Sequence, residues 1–437
     1  MNRFHFPVAP LLWGALIFTA CLEPEIKAEK PLNPEAPALA ESGGRGSPAL
    51  PEKPQKVYSD VDGLSGATIA KPNSNTVAYI DNEGGFKLKT VDVNNAPLAA
   101  RNSTNLALNA QVLSSNGTTT AILTALDGDT RKIELYDSNF TLTRTIATNF
   151  SAANVPLHHA EAAFSLSGAY VLTGYDNEAQ GKTYISVYDA LGTKNPTHTE
   201  TNADIGELVS LALNGNFLIA GGDAGTGVYE INPLTLAITK VGNSDGEGSH
   251  WMKDNGTYVI ESKEAGAKVT IWKWNGASKP TALGTISIPG TEGDLSAVRA
   301  LQFDPVDSKT AYMVSFTGGQ VYKVDLSSAK ATLLFTYPGH AGAALFAWMI
   351  EKASHTDGEY FVITGGYGSQ ANPREARGLA LVFKNPPLDG GTASPLEAME
   401  YQGLVRMLRT LRGSGGSVYF AAKDRGASEF SIYQITN

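Results

Sequence analysis

Three kinds of side chain in this sequence have the chemistry and the placement to make a site. The chain carries seven histidines. Four of them, His158, His159, His250 and His340, stand just ahead of segments rich in apolar and β-branched residues. Glu161, Glu207, Glu247, Arg299 and Arg406 stand at comparable offsets from similar segments. Imidazole and carboxylate groups ligate metals, and imidazole exchanges protons near neutral pH. Guanidinium groups clamp carboxylates and phosphates. If those segments converge in space, these nine residues surround one mouth. That mouth would bind a ligand or a metal; the alternative is a wet polar funnel that binds nothing.

Other local patterns are weaker. No G-x-S-x-G nucleophile elbow occurs. "AQGKT", Ala179 to Thr183, imitates the end of a phosphate-binding loop. It lacks the first glycine and a following helix, so it reads as a hairpin turn. "DGDTRKIE", from Asp127, lacks the sixth-position glycine of a calcium loop and also reads as a turn. "NSDGEGSHW", from Asn243, is an acidic glycine-rich loop suited at most to weak ion binding. Two basic runs stand out. "GGYGSQANPREARG" holds Arg374 and Arg377, and "RMLRTLRG" holds Arg406, Arg409 and Arg412. As loops, Arg374, Arg377, Arg409 and Arg412 would make a patch for an acidic or carboxylate-bearing partner, against the plainer reading of solvated charge.

Composition restricts the options. The net charge of −9 lacks the basic face that a general nucleic-acid binder needs. A single cysteine rules out an internal disulfide, a multi-cysteine zinc site and an iron–sulfur cluster. That cysteine is Cys21. Ahead of it, "LLWGALIFTA", Leu11 to Ala20, is uncharged and largely apolar. Ten residues are too few to span a bilayer, which takes about 20, but they fit the core of an export signal. Phe18-Thr19-Ala20-Cys21 resembles the lipobox of bacterial lipoproteins, with Phe18 where that family usually has leucine. The resemblance implies cleavage after residue 20 and acylation of Cys21. More than one acyl chain anchors stably, whereas one binds marginally. The alternative is a buried cysteine in an uncleaved anchor helix.

Residues 21–56 are rich in Pro, Ala, Glu and Gly and poor in large apolar side chains. Such a segment cannot bury enough surface to offset its ordering entropy, so it reads as a tether. Fully extended it would reach on the order of 100 Å.

From residue 57 to 437 the sequence repeats a unit of short β-type segments separated by Gly, Asn, Asp and Ser. Its second segment recurs eight times, from "TVAYID" at Thr76 to "VYFAAKD" at Val418, at spacings of 41–58 residues. Four short strands at this period predict an all-β fold, a β-propeller of eight blades with seven as the competitor. A pair of β-sandwiches is the other architecture considered. The last unit stops at its third strand, so "KVYSDV", from Lys56, is expected to supply the fourth and close the ring. "LSGAYVLTGYD" and "GVYEINPLTLAIT" look like YVTN-type and quinoprotein-like propeller repeats. The tryptophan register of the quinoprotein repeat is absent.

These observations lead to one expectation: a lipid-anchored propeller of the bacterial cell envelope, in the outer membrane on its periplasmic or surface face. It would bind an envelope protein partner, with no cofactor and no nucleic acid, and would be a scaffold more than an enzyme. The nearest analogy is the propeller lipoprotein of the outer-membrane protein assembly machinery, on architecture alone. The competing expectation is a lactonase-like hydrolase, or a ligand- or metal-binding propeller, working at the His/Glu/Arg mouth. A bound quinone is a third.

Overall fold

The computed structural model describes residues 54–435 apart from connecting segments, the longest being 152–160, 289–299 and 369–376. The described residues form eight antiparallel sheets of four strands each. Sheets one to seven take consecutive strands from residues 65–105, 111–151, 161–200, 208–244, 250–287, 300–336 and 344–401. Sheet eight takes three strands from 405–434 and its fourth from Gln55–Asp60. The eight-fold repeat and the borrowed fourth strand are therefore as the sequence indicates. That strand starts at Gln55, two residues ahead of the expected domain start. One single-turn helix, Asn202–Ile205, interrupts the strands.

The first strand of each sheet lies against the first strand of the next, and that of sheet eight lies against that of sheet one. Each boundary between neighbours is filled by its own apolar cluster. Val77, Tyr79 and Val91 of sheet one, for example, pack on Leu411, Ala421, Phe430 and Ile432 of sheet eight. Sheets six and seven share Phe335, Phe361 and Phe383. The second and third strands are therefore buried on both faces. This explains why they read as nearly continuous apolar runs instead of alternating ones.

The antiparallel order gives each sheet two unlike ends. At one, here the lower, the first strand turns into the second and the third into the fourth. At the other, the upper, the second turns into the third and the fourth crosses to the next sheet. Hydrogen bonds between lower turns of neighbouring sheets hold the ends in common orientation. Asn214 Nδ2 donates to Gly256 O at 2.5 Å, and Asn255 Nδ2 to Ser308 O at 2.8 Å.

The lower turns have a repeated chemical basis. The third strands of sheets one, two, three, four and six end at or beside Asp92, Asp137, Asp189, Asn232 and Asp325. In each, the side-chain oxygen accepts the N–H two residues on, at 2.9 Å. Asx turns of this kind replace a backbone partner and reverse the chain. Glycine serves close approach instead. At Gly365, in the second strand of sheet seven, a Cβ would sit 1.8 Å from Phe346 O. Only glycine lets the first strand bulge between Ala347 and Met349 there.

The Gln55–Asp60 strand is fastened to sheet one by a polar network. Asp60 Oδ2 accepts from Tyr79 Oη at 2.5 Å and from Lys89 Nζ at 2.9 Å. Lys89 also pairs with the fully buried Asp81 at 2.7 Å. Tyr58 and Tyr79 hydroxyls share a 2.6 Å hydrogen bond, and Tyr79 stacks on Phe430 at 4.2 Å between centroids. Burial disfavours the Lys89 ammonium, but Asp81 and Asp60 outweigh it and raise its pKa above the ordinary lysine value. Lys89→Met leaves the Asp81 carboxylate buried without its cation. Urea unfolding of that variant is expected to show a loss of about 3–5 kcal/mol, against roughly 1 kcal/mol for Tyr58→Phe, which removes one hydrogen bond.

Candidate functional site

The residues expected at the mouth are placed as follows. The backbones of Glu161 and His250 open the first strands of sheets three and five at the upper end. Glu207 precedes the first strand of sheet four, and Arg406 is the second residue of that of sheet eight. Glu207 is exposed, and its N–H donates to Asp223 Oδ1 at 2.7 Å. The side chains of Glu161, His250, Arg406 and Arg409 lie outside the described residues, as do His158, His159, Glu247, Arg299 and Arg374 altogether. The two aspartates of "DGDTRKIE" and residues 245–249 of the acidic loop also fall outside. "AQGKT" ends as a hairpin reading requires, with Lys182 paired to Asn177 across the turn.

His340 departs from expectation. It lies at the upper end, but it faces the outermost strand of sheet seven, Glu397–Tyr401, and not the first strands. Its Nε2 is 2.9 Å from Glu400 Oε1 and its Nδ1 is 3.2 Å from Tyr337 Oη. The Tyr367 ring meets the imidazole edge-on at 4.7 Å. A short backbone reversal fixes this position. His340 and Ala343 exchange both N–H···O bonds at 3.0 and 2.9 Å, with Ala341 held at φ 50°. The physical reason for the departure is the carboxylate. Glu400 offers an imidazole partner that the sequence, read unit by unit, does not place beside it.

Arg377 opens the third strand of sheet seven, exposed, with Nη1 3.9 Å from Glu400 Oε2. Hydrogen bonds from His340 and then Tyr367 hold the Glu400 carboxyl below the usual glutamate range. Burial first and Glu400 second push the Tyr367 phenol up. The result is a compact upper-end cluster of one imidazole, one carboxylate, one guanidinium and two phenols. It can recognise a group that both donates and accepts hydrogen bonds.

Of the four arginines expected in one patch, the two whose side chains are described, Arg377 and Arg412, lie at opposite ends of their sheets. "RMLRTLRG" is strand, not loop: Val405–Arg412 is the first strand of sheet eight. Arg412 ends it at the lower end, where burial lowers its pKa and Glu359 partly opposes that. Arg377 sits at the upper end. Apolar strand residues surround the arginines of 405–412 in sequence, which the charge run alone obscured.

Sequence reading also missed a set of ionic and polar latches between sheets. Glu351 of sheet seven accepts both N–H and Oγ1–H of Thr410 in sheet eight at 2.7 Å. Glu261 of sheet five, fully buried, accepts from Thr226 of sheet four at 2.6 Å and from Trp272 Nε1 at 2.7 Å. Lys352 of sheet seven reaches Asp304 of sheet six at 3.2 Å and Glu359 at 2.8 Å. A signal existed: "VIESK" and "WMIEKA" each carry a glutamate inside an otherwise strand-like run. Such a residue must find a partner or remain costly to bury. Among the described residues no three His, Cys, Asp or Glu side chains are grouped to hold a metal.

No protein-family model and no curated protein matches the sequence. Solved structures do resemble the fold. The dihydro-heme d1 dehydrogenase NirN, in complex with DHE, aligns with TM-score 0.50 and 13% identity over 84% of this chain and 75% of that one. The Cps50 (Swd1) β-propeller domain of Myceliophteria thermophila aligns at 0.47 and 9%, over 88% and 100%. Apo AztD from Citrobacter koseri aligns at 0.45 and 13%, over 76% and 89%. The fold is a β-propeller; at these identities the likeness extends to nothing further.

Two measurements check the electrostatics. In His340→Ala, the Glu400 side-chain carboxyl is expected to titrate higher than in the wild type by NMR, but still below the ordinary glutamate value, because the Tyr367 bond and Arg377 remain. Asp304 supplies the second. Burial opposes its ionisation, but the N–H groups of Asp307 and Val306, Tyr312 Oη and Lys352 outweigh it and lower the pKa. A depressed carboxyl contributes stability above its unfolded pKa of about 3.9 and loses it as pH falls through the folded value. Asp304→Asn should therefore flatten the acid limb of the stability curve below about pH 4.

Proposed function

We propose that this chain is a lipid-anchored binding scaffold of the bacterial cell envelope. Residues 1–20 act as the export signal, Cys21 carries the acyl chains, and the segment up to the Gln55–Asp60 strand links that anchor to the propeller. The observation that carries the scaffold reading is the upper end of sheet seven. Its first two strands, Ala344–His355 and Gly358–Gly368, are the longest among the described residues. They carry the chain into the 369–376 connection, beside the exposed Arg377 and the His340–Glu400 pair. The upper ends of these strands, with Arg377 and the His340–Glu400 pair beside them, suit docking of a protein segment that bears a carboxylate.

The competing enzyme reading places a ligand or substrate at the His/Glu/Arg mouth, of which His340 is one residue. At His340 itself, the bonds to Glu400 and Tyr337 turn the ring toward the outermost strand of sheet seven, which supports the scaffold reading. The latches between sheets support it too, since they tie charged groups into the frame.

The test has two parts. Growth with labelled fatty acid should mark the wild type and not Cys21→Ala; equal labelling, or none, removes the anchor. Mild crosslinking in native membranes should then give a discrete partner adduct in wild type. Arg377→Glu is expected to reduce that adduct at least several-fold while circular dichroism stays unchanged. An adduct of undiminished yield would remove sheet seven as the partner surface.

A further inference from the structure

The exposed large apolar side chains among the described residues are Leu142, Leu191, Leu234, Leu283, Val306 and Leu388. Scattered exposed leucines are ordinary and carry no message. These six are not scattered. Leu191, Leu234 and Leu388 lie in the third-to-fourth connections of sheets three, four and seven. Leu142 and Leu283 are the first and third residues of fourth strands, in sheets two and five. Val306 lies in the first-to-second turn of sheet six. Every one is at the lower end or in the lower part of its strand.

The three most exposed share one geometry. Leu191, Leu234 and Val306 are 77%, 81% and 87% exposed. Each occupies the third position of an Asx turn, with its N–H held by Asp189, Asn232 or Asp304 at 2.8–2.9 Å. That arrangement fixes the backbone and directs the side chain off the surface. The fold does not require an apolar residue there. The equivalent position is Asn94, Asn139 and Ser327 in the turns headed by Asp92, Asp137 and Asp325. Leucine and valine at the other three positions thus answer to something outside the fold.

The place where the chain joins the propeller points to what that is. Gln55 pairs with Gln434 at the lower end of sheet eight. The described chain therefore enters the propeller at the same end that presents the leucines. Exposed lysines stand among them: Lys194 and Lys279 reach across to Pro233 O and Val241 O of the neighbouring sheet, at 2.5 and 2.7 Å. Leucine tips flanked by lysine are the residues that enter a headgroup region and pair with anionic lipid. At this end Asp189 and Asp304 accept from N–H groups of their own turns, while Asp307, Asp325 and Asp389 stay exposed.

We propose that the lower end of the propeller docks on a lipid surface, with Leu191, Leu234 and Val306 inserted at the headgroup boundary. This rests on the lipid-anchor reading and extends it. The anchor supplies local concentration and the leucines supply orientation, so that the upper end faces away from the bilayer.

The test uses the full chain. An environment-sensitive fluorophore is attached at Leu234→Cys, or at Ser287→Cys as a control at the upper end of sheet five, in the acylated protein and in Cys21→Ala. The membranes are protein-free vesicles of phosphatidylethanolamine and phosphatidylglycerol. Docking predicts a blue shift and quenching by spin-labelled lipid at position 234 and neither at 287. In the Cys21→Ala chain, Leu191→Asp with Leu234→Asp should weaken vesicle binding on the order of tenfold or more. Probes that stay in water at both positions, or enter lipid equally, overturn the proposal. So does burial of position 234 in native membranes but not in protein-free vesicles, which would assign the face to a protein. Fatty-acid labelling is scored separately. Label at Cys21 with a water-exposed probe at 234 sinks the docking and leaves the anchor; a lipid-buried probe without label does the reverse.

Discussion

The fold depends on one pairing made across almost the whole length of the chain. Sheet eight has three strands of its own, and its third, Phe430–Gln434, would end in an open edge. An open edge of that kind invites pairing with another molecule. Gln55–Asp60 occupies it, and in doing so brings Asp60, Tyr58 and Tyr79 together with Lys89 and Asp81. Backbone pairing alone would fix the strand to sheet eight. The Asp60 network fixes it to sheet one as well, and the Tyr79–Phe430 stack seats the two sheets on each other. A contact between residues so distant in sequence carries a large loop-closure entropy. It is reinforced accordingly, by charge, hydrogen bonds and aromatic packing in one place.

The same logic recurs between other sheets. Apolar faces slide over one another with little preference for register, because dispersion contacts are numerous and weak. A buried carboxylate with two donors permits one register only. Glu351 with Thr410 and Glu261 with Thr226 and Trp272 act in that way, pinning sheet seven to eight and five to four. Such groups contribute less to net stability than to uniqueness, since desolvation offsets much of their attraction.

This also explains what could be read from the sequence. The strands and lower turns are local. An Asp or Asn followed two residues later by a turn N–H is a mechanism contained in a few residues, so Asp92, Asp137, Asp189, Asn232 and Asp325 announced the repeat. The missing fourth strand of the last unit was legible by counting. Sideways partnerships were not. Nothing near His340 in sequence indicates Glu400, sixty residues on, and the imidazole accordingly faces the rim of sheet seven and not the axis. Arg412 looked like part of a basic loop because its charge outweighed the strand pattern of Val405, Leu408 and Leu411 around it.

The two ends of the sheets are under different constraints, and the difference bears on function. Several lower turns are governed by Asx geometry, and in these the third position is exposed whether it is Asn94, Asn139, Leu191, Leu234 or Ser327. A surface written at those positions can change without disturbing the frame, as Asn94 and Ser327 beside Leu191 and Leu234 illustrate. Upper connections vary in length and draw side chains from several strands, as Tyr337, His340, Tyr367, Arg377 and Glu400 do. Among the described residues, the lower end therefore carries the exposed apolar side chains, while the upper end carries an irregular polar cluster. The frame separates the two by the full length of its strands.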